Sequence, residues 1–257
     1  MAIPKKAILS ARPQLRADSS TYGSWNRFLK SLDLDTQPDR DAPILHRALC
    51  RLANHPQDIH HVLTILDVIR RAVPLVQSAL RWESPIAGGN PDSPTETDRA
   101  RGGQWRLTML YAGVELLIRG VLNLEQGYLR SDLLRQLTNQ LRLPPCPLVA
   151  PPKLTPKLDE RWMTIASEGG DPPLFQFLKL NDTGVRLFRA WLVEKQPITN
   201  WVDLVQLAAT IRHLTAHGAL SASKVIQMKL DDTIEQLIDG LACVVEAVLM
   251  RIMEPDV

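Results

Sequence analysis

Residues 201–218 read WVDLVQLAATIRHLTAHG. This stretch has the spacing of a helix, and it contains the densest group of polar side chains in an otherwise apolar C-terminal third. Asn200, just before it, is a preferred N-cap type, with Asp203 three residues on. Gly218 is suited to the left-handed conformation that ends a helix. The apolar residues recur at steps of three and four, as one buried helix face requires: Trp201, Leu204, Val205, Leu207, Ala208, Ile211 and Leu214.

Arg212 and His217 are the two groups of this stretch best suited to act on a substrate. They lie five residues apart, which is about 140° round an ideal helix of 3.6 residues per turn. The two side chains therefore do not share a face of one straight helix. They converge only if the helix ends between them, or if Arg212 of one subunit meets His217 of another.

Composition excludes several classes of protein. The chain is 45% hydrophobic and 23% charged, which is typical of a folded globular protein. Three cysteines without paired spacing disfavour zinc ribbons and disulfide frameworks, and indicate a reducing, cytoplasmic compartment. The basic start lacks the apolar stretch of a signal peptide, and no run of eighteen apolar residues predicts a membrane span. Because the net charge is only +2, any nucleic-acid site must be a local patch.

The rest of the chain predicts an all-α fold, because no alternating strand pattern stands out. Pro74 predicts a kink or break in its helix. His60 and His61, near the start of that helix, are expected to be surface or capping histidines and not metal ligands. The predicted helices cover residues 20–32, 42–54, 57–82, 104–126, 131–141, 155–166, 174–180 and 182–194, followed by the 201–218 helix and a last helix from Ser221 or Ser223 to about Met253.

Three further segments organise the chain. Residues 84–103 are rich in Pro, Gly, Ser, Asp and Thr and predict a flexible linker or domain boundary. Residues 143–156 carry six prolines and predict an extended excursion. The last helix has more apolar positions than one stripe needs, so it is either central or shared with a second subunit. The predicted organisation is a helical region at 1–83, a linker at 84–103 and a helical bundle at 104–257.

The spacing Arg212-x4-His217, with the polar His213 second and Gly218 following, resembles the Arg-x(4–6)-His motif of HEPN domains. Residues 105–117, WRLTMLYAGVELL, are similar to the family's early helix with its embedded acid, here Glu115. The resemblance covers residues 104–253. It implies an all-α bundle of the HEPN type with an N-terminal helical extension. Many members are metal-independent ribonucleases that place two such motifs across a homodimer interface.

Arg212 and His217 would be the catalytic residues of such an enzyme. The 2′-OH of RNA is a built-in nucleophile, and an imidazole changes charge near neutral pH, so His217 can act as general acid or base. Arg212 offers bidentate donors to the phosphorane oxygens. His213 is a second choice, and amides at residues 221–224, from Ser221 to Lys224, can add an anion site. No metal or cofactor is expected.

Glu115 leaves two alternatives open. It either orients Arg212 or His217, or it is a partly exposed carboxylate paired with Arg119, one turn along the same helix. A buried, unpaired carboxylate is costly, so an inward-facing Glu115 needs a cationic partner.

Two functions remain open at this point. The first is an endoribonuclease, such as a toxin or phage-defence effector restrained by an antitoxin or regulatory protein. The second is a non-catalytic helical module that binds RNA, a nucleotide or a protein partner. Without the resemblance, the motif would be a helix end with Arg212 in a salt bridge and His217 bonded to backbone carbonyls. One departure from the family is Ala219, which stands where some members carry a nucleotidylated tyrosine.

Overall fold

The computed structural model describes residues 20–53, 56–82, 94–124, 129–154, 182–218 and 220–254. Within these ranges the regular elements are helices, which confirms the all-α prediction. One antiparallel bridge within the described ranges pairs Val149 with Ile198. Val149 belongs to the proline-rich segment 143–156, which was predicted to be extended. The helices are α1 Ser20–Ser31, α2 Pro38–Cys50, α3 Ile59–Arg81, α4 Glu96–Leu122, α5 Ser131–Gln140, α6 Asp182–Leu192, α7 Trp201–Ala216, α8 Ala222–Gln227 and α9 Asp231–Met253.

The chain divides into two compact units, and neither is continuous in sequence. The first unit comprises Met1–Arg81, Ala112–Pro144 and Leu241–Val257, and the second comprises Trp82–Tyr111 and Pro145–Gly240. Helices α4 and α9 contribute residues to both units. This division differs from the sequence-based one, because the N-terminal helices share a unit with parts of α4 and α9.

The first unit packs α3 against the second half of α4 through glycines. Gly113 faces the carbonyl oxygen of Ala72, which would lie 3.2 Å from an added Cβ, and Gly120 faces the side chain of Val68. Such close approach of two backbones needs a residue without a Cβ. The helix α3 runs without interruption through Pro74, so the predicted break is wrong.

His61 is buried, with only 1% of its surface exposed, so of its two predicted roles, surface or capping, the surface role is wrong. Its Nε2 donates to the carbonyl oxygens of Gly120 and Val121 at 3.1 and 3.2 Å. These residues belong to the last turn of α4, where carbonyl groups lack intrahelical partners. The imidazole therefore acts as a cap supplied by a neighbouring helix.

Helix α2 begins at Pro38, four residues before the predicted start. Proline is well tolerated in a first turn, where its missing N–H is not needed. The acidic Asp41 accepts hydrogen bonds from the Arg40 guanidinium at 2.6 Å and from the Asp33 amide at 2.7 Å. The hydrogen bonds from Arg40 and the Asp33 amide stabilise the charged carboxylate and lower the pKa of Asp41 to about 2.

Helix α4 begins at Glu96, so the linker prediction is wrong for residues 96–103. Thr95 and Asp98 form a reciprocal cap: the Thr95 amide donates to Asp98 Oδ2 at 3.1 Å, and the Asp98 amide donates to Thr95 Oγ1 at 3.2 Å. Spaced three residues apart, they form a variant of the capping box, which here extends the helix into a segment rich in helix breakers.

In the second unit, α6 packs against α7, and Gly240 of α9 admits the side chain of Leu204 of α7. The N-cap prediction for α7 is confirmed, because the Asn200 side chain accepts from the Asp203 amide at 2.9 Å. Arg106 of α4 forms an ion pair with Glu235 of α9.

The predicted last helix is two helices, α8 and α9. Lys229 adopts a left-handed φ of 52° between them, and the Leu230 amide donates to the Val225 carbonyl at 3.0 Å. With the Lys229 amide bonded to the Ile226 carbonyl, this is a Schellman ending. Most apolar side chains of α9 are buried within a single chain, including Leu237, Leu241, Val245 and Leu249, as expected of a central helix, whereas Met250 is half exposed.

The predicted helices at 155–166 and 174–180 lie outside the described residues. No helix in the described ranges is long and apolar enough to cross a membrane.

Candidate functional site

The candidate site lies at the C-terminal end of α7. The helix ends at Ala216, and the amide of His217 still donates to the His213 carbonyl at 3.1 Å. Gly218 then adopts a φ of 70°, which confirms that it ends the helix. Because helical hydrogen bonding continues to His217, this residue is presented at a defined angle relative to the preceding turn.

Gln104 of α4 stabilises this turn through side-chain hydrogen bonds. Its Nε2 donates to Thr215 Oγ1 at 3.2 Å and to the carbonyl oxygen of Leu220. The side chain is almost fully buried, and buried amides are as a rule hydrogen-bonded. Gln104 therefore joins the end of α7 to the start of the following loop, a role that its position in an apolar helix did not reveal.

His213 and His217 are brought together. They lie one turn apart on the same side of the helix, and their ring centroids are 4.3 Å apart with a tilt of 51°. His217 is exposed and His213 is half-buried. The arrangement places two groups that can carry a proton beside each other at the surface.

Arg212 lies half-buried on the ring of Tyr111, a residue of α4 that the sequence reasoning missed. The guanidinium carbon is 5.9 Å from the ring centroid, within the range of a cation–π contact. Its Nε is buried without a hydrogen-bond acceptor, and no carboxylate among the described residues pairs with it. The salt bridge expected of a purely structural Arg212 is thus not found in the described part of the chain.

Within one chain, no hydrogen bond, ion pair or ring contact among the described residues joins Arg212 to His217. The guanidinium lies on Tyr111, whereas the imidazole of His217 lies against His213. Since α7 keeps its helical hydrogen bonding up to His217, the angular separation expected from the sequence persists.

Glu115 pairs with Arg119, whose Nη2 donates to Oε1 at 2.9 Å. Of the two alternatives left open for Glu115, the ion pair with Arg119 is the one observed. Both side chains are about one quarter exposed, so the pair is solvated and of modest energetic value.

Ser221 and Lys224 form a helix cap. Ser221 Oγ accepts the Lys224 amide at 3.3 Å and lies 2.9 Å from Ser223 Oγ. Of the amides expected to add an anion site between Ser221 and Lys224, that of Lys224 is therefore already bonded to the serine.

Glu235 of α9 is a carboxylate of the second unit whose side chain is about one quarter exposed. Burial raises its pKa, and Asp239 and Asp231 raise it further, while Arg106 opposes the shift. The Arg106–Glu235 ion pair links α4 to α9 and accounts for this carboxylate as a structural group. Neither residue stands out in the sequence, because their separation along the chain is large.

In the described ranges, no three His, Cys, Asp or Glu side chains come close enough to hold a metal ion together. Comparison of the chain with models of protein families, with curated proteins and with solved structures finds no match.

Proposed function

We propose that this protein is a metal-independent endoribonuclease that acts as a homodimer, with its active site at the C-terminal end of α7. One observation carries the proposal: a half-buried guanidinium without a carboxylate partner among the described residues lies one position along the chain from a pair of adjacent histidines, of which His217 is exposed. Cations removed from water are normally paired, so Arg212 is suited to receive an anion such as a phosphodiester.

The reaction follows from the chemistry of RNA. His217 takes the proton of the 2′-OH, the 2′-oxygen attacks phosphorus, and the bond to the 5′-oxygen breaks. The imidazole of His217, now protonated, gives the proton to that leaving oxygen, and the products are a 2′,3′-cyclic phosphate and a 5′-OH. Arg212 stabilises the charge on the phosphorane. His213 packs against His217.

The homodimer follows from the separation of the two groups. Arg212 and His217 do not meet within one chain among the described residues, whereas two copies related by a two-fold axis would place Arg212 of one against His217 of the other. The resemblance to HEPN domains supports this arrangement. A ribonuclease of this kind fits a toxin or phage-defence effector, and it would need a neutralising partner until it acts.

The first test is incubation of the purified chain with 5′-labelled single-stranded RNA in excess EDTA. We expect cleavage, with 2′,3′-cyclic phosphate ends, and no cleavage of DNA of the same sequence, which lacks the nucleophile. RNA that is bound but stays intact would replace the proposal by the non-catalytic module. RNA that is neither bound nor cut would reject both the ribonuclease and a module that binds RNA.

A further inference from the structure

His213 and His217 have a second chemical property beside proton transfer. Two histidines four residues apart on one helix face can bind one divalent cation, as in metalloenzymes that use such a pair. Here the rings are already adjacent, with centroids 4.3 Å apart, and His217 is exposed. The usual Zn–N distance is about 2.0–2.1 Å, and two imidazoles four residues apart on one helix can meet it together.

We infer that His213 and His217 form an open two-histidine site for Zn²⁺ or a related late first-row cation, and that its occupation inhibits cleavage. Imidazole prefers Zn²⁺, Ni²⁺ and Cu²⁺ over the hard cations Mg²⁺ and Ca²⁺. No third protein ligand lies within reach among the described residues, so water completes the coordination and binding is reversible.

Inhibition follows because the metal and the proton compete for the same lone pair. A nitrogen of His217 that coordinates Zn²⁺ no longer accepts the proton of the 2′-OH. Bound Zn²⁺ therefore prevents His217 from acting as the general base, and no covalent modification of the protein is involved. Metal binding stands on the geometry of the pair alone, whereas inhibition rests on the proposed ribonuclease function.

A second candidate pair among the described residues needs a control. Cys50 Sγ lies 3.7 Å from the ring nitrogens of His46, and a thiol beside an imidazole is also a candidate ligand pair for Zn²⁺. All titrations are therefore made in a Cys50→Ser background. His60 is the matched control, because it is an exposed histidine of α3 without a histidine one turn away.

The experiment is calorimetric titration of the full chain with ZnCl₂, with MgCl₂ in parallel. We expect Zn²⁺ to bind and Mg²⁺ not to bind. His213→Ala and His217→Ala should each lower the affinity by at least about 10- to 100-fold, since that is already the cost of losing a group that only supports a metal ligand, and His60→Ala should leave it unchanged. Circular dichroism of each variant checks that it is folded. Unchanged Zn²⁺ affinity in both motif variants would overturn the site.

The RNA assay, repeated with added Zn²⁺, tests the regulatory part. Cleavage should slow as the site fills and return when EDTA removes the ion. Cleavage that continues at saturating Zn²⁺ would overturn inhibition. A chain that binds Zn²⁺ through the two histidines but never cuts RNA would keep the metal site and reject the proposed function, so the two failures are distinguishable.

Discussion

Replacing His217 by alanine should lower the rate of RNA cleavage about 10²- to 10⁴-fold, which is the usual contribution of a positioned acid or base. The side chain is exposed at the end of α7, so the free energy of unfolding should change by no more than about 0.5 kcal/mol. Single-turnover cleavage of labelled RNA measures the rate, and urea denaturation measures the stability.

His60→Ala is the control for this experiment, because it also removes an exposed imidazole. It should cut RNA at the rate of the unchanged chain. If His217→Ala also keeps that rate while the unchanged chain is active, then the nuclease works elsewhere and the assignment of the site is wrong.

Gly120→Ala should lower the free energy of unfolding by about 1–3 kcal/mol, the typical cost of overpacking a core. An added Cβ would lie 2.9 Å from Cγ1 and 3.1 Å from Cβ of Val68, and still closer to Cγ2. Valine has little rotational freedom in a helix, so it cannot swing aside. Urea or thermal denaturation of the purified variant measures the change.

Two further variants make this prediction specific. Gly23→Ala is the matched control, because the space around Gly23 in α1 admits a methyl group at an ordinary 3.5 Å contact; it should be neutral or stabilising by up to about 1 kcal/mol. In the double variant Gly120→Ala/Val68→Ala, the loss should be smaller than the sum of the two single losses. Additive losses would show that α3 and α4 are not packed through this contact.

The sequence predicted α7 and its ends because the signals are local. Asn200, Asp203 and Gly218 act within one turn of their own helix, and the apolar spacing of α7 is unbroken. The Thr95–Asp98 cap was equally local, but the helix-breaking composition around it masked the signal. The break before α9 carried no such signal, since a lysine at residue 229 rarely takes a left-handed φ.

The candidate site was only partly predictable for a different reason. The stacking of His213 on His217 follows from their spacing on one helix. The contact of Arg212 with Tyr111 and the bonds of Gln104 to the α7 turn join residues about one hundred positions apart, and they depend on how α4 packs. Periodicity predicts which face of a helix is buried, but not which partner it meets.

The most direct test of the central claim, a shared site built from Arg212 of one copy and His217 of another, is a mixing experiment. Arg212→Ala and His217→Ala are purified separately, each is shown to be nearly inactive, and equal amounts are combined under conditions that exchange subunits. The mixture should recover about a quarter of the cleavage rate, because half of the dimers are mixed and each of these keeps one intact site. A mixture that stays as inactive as the separate variants after confirmed exchange would contradict the claim.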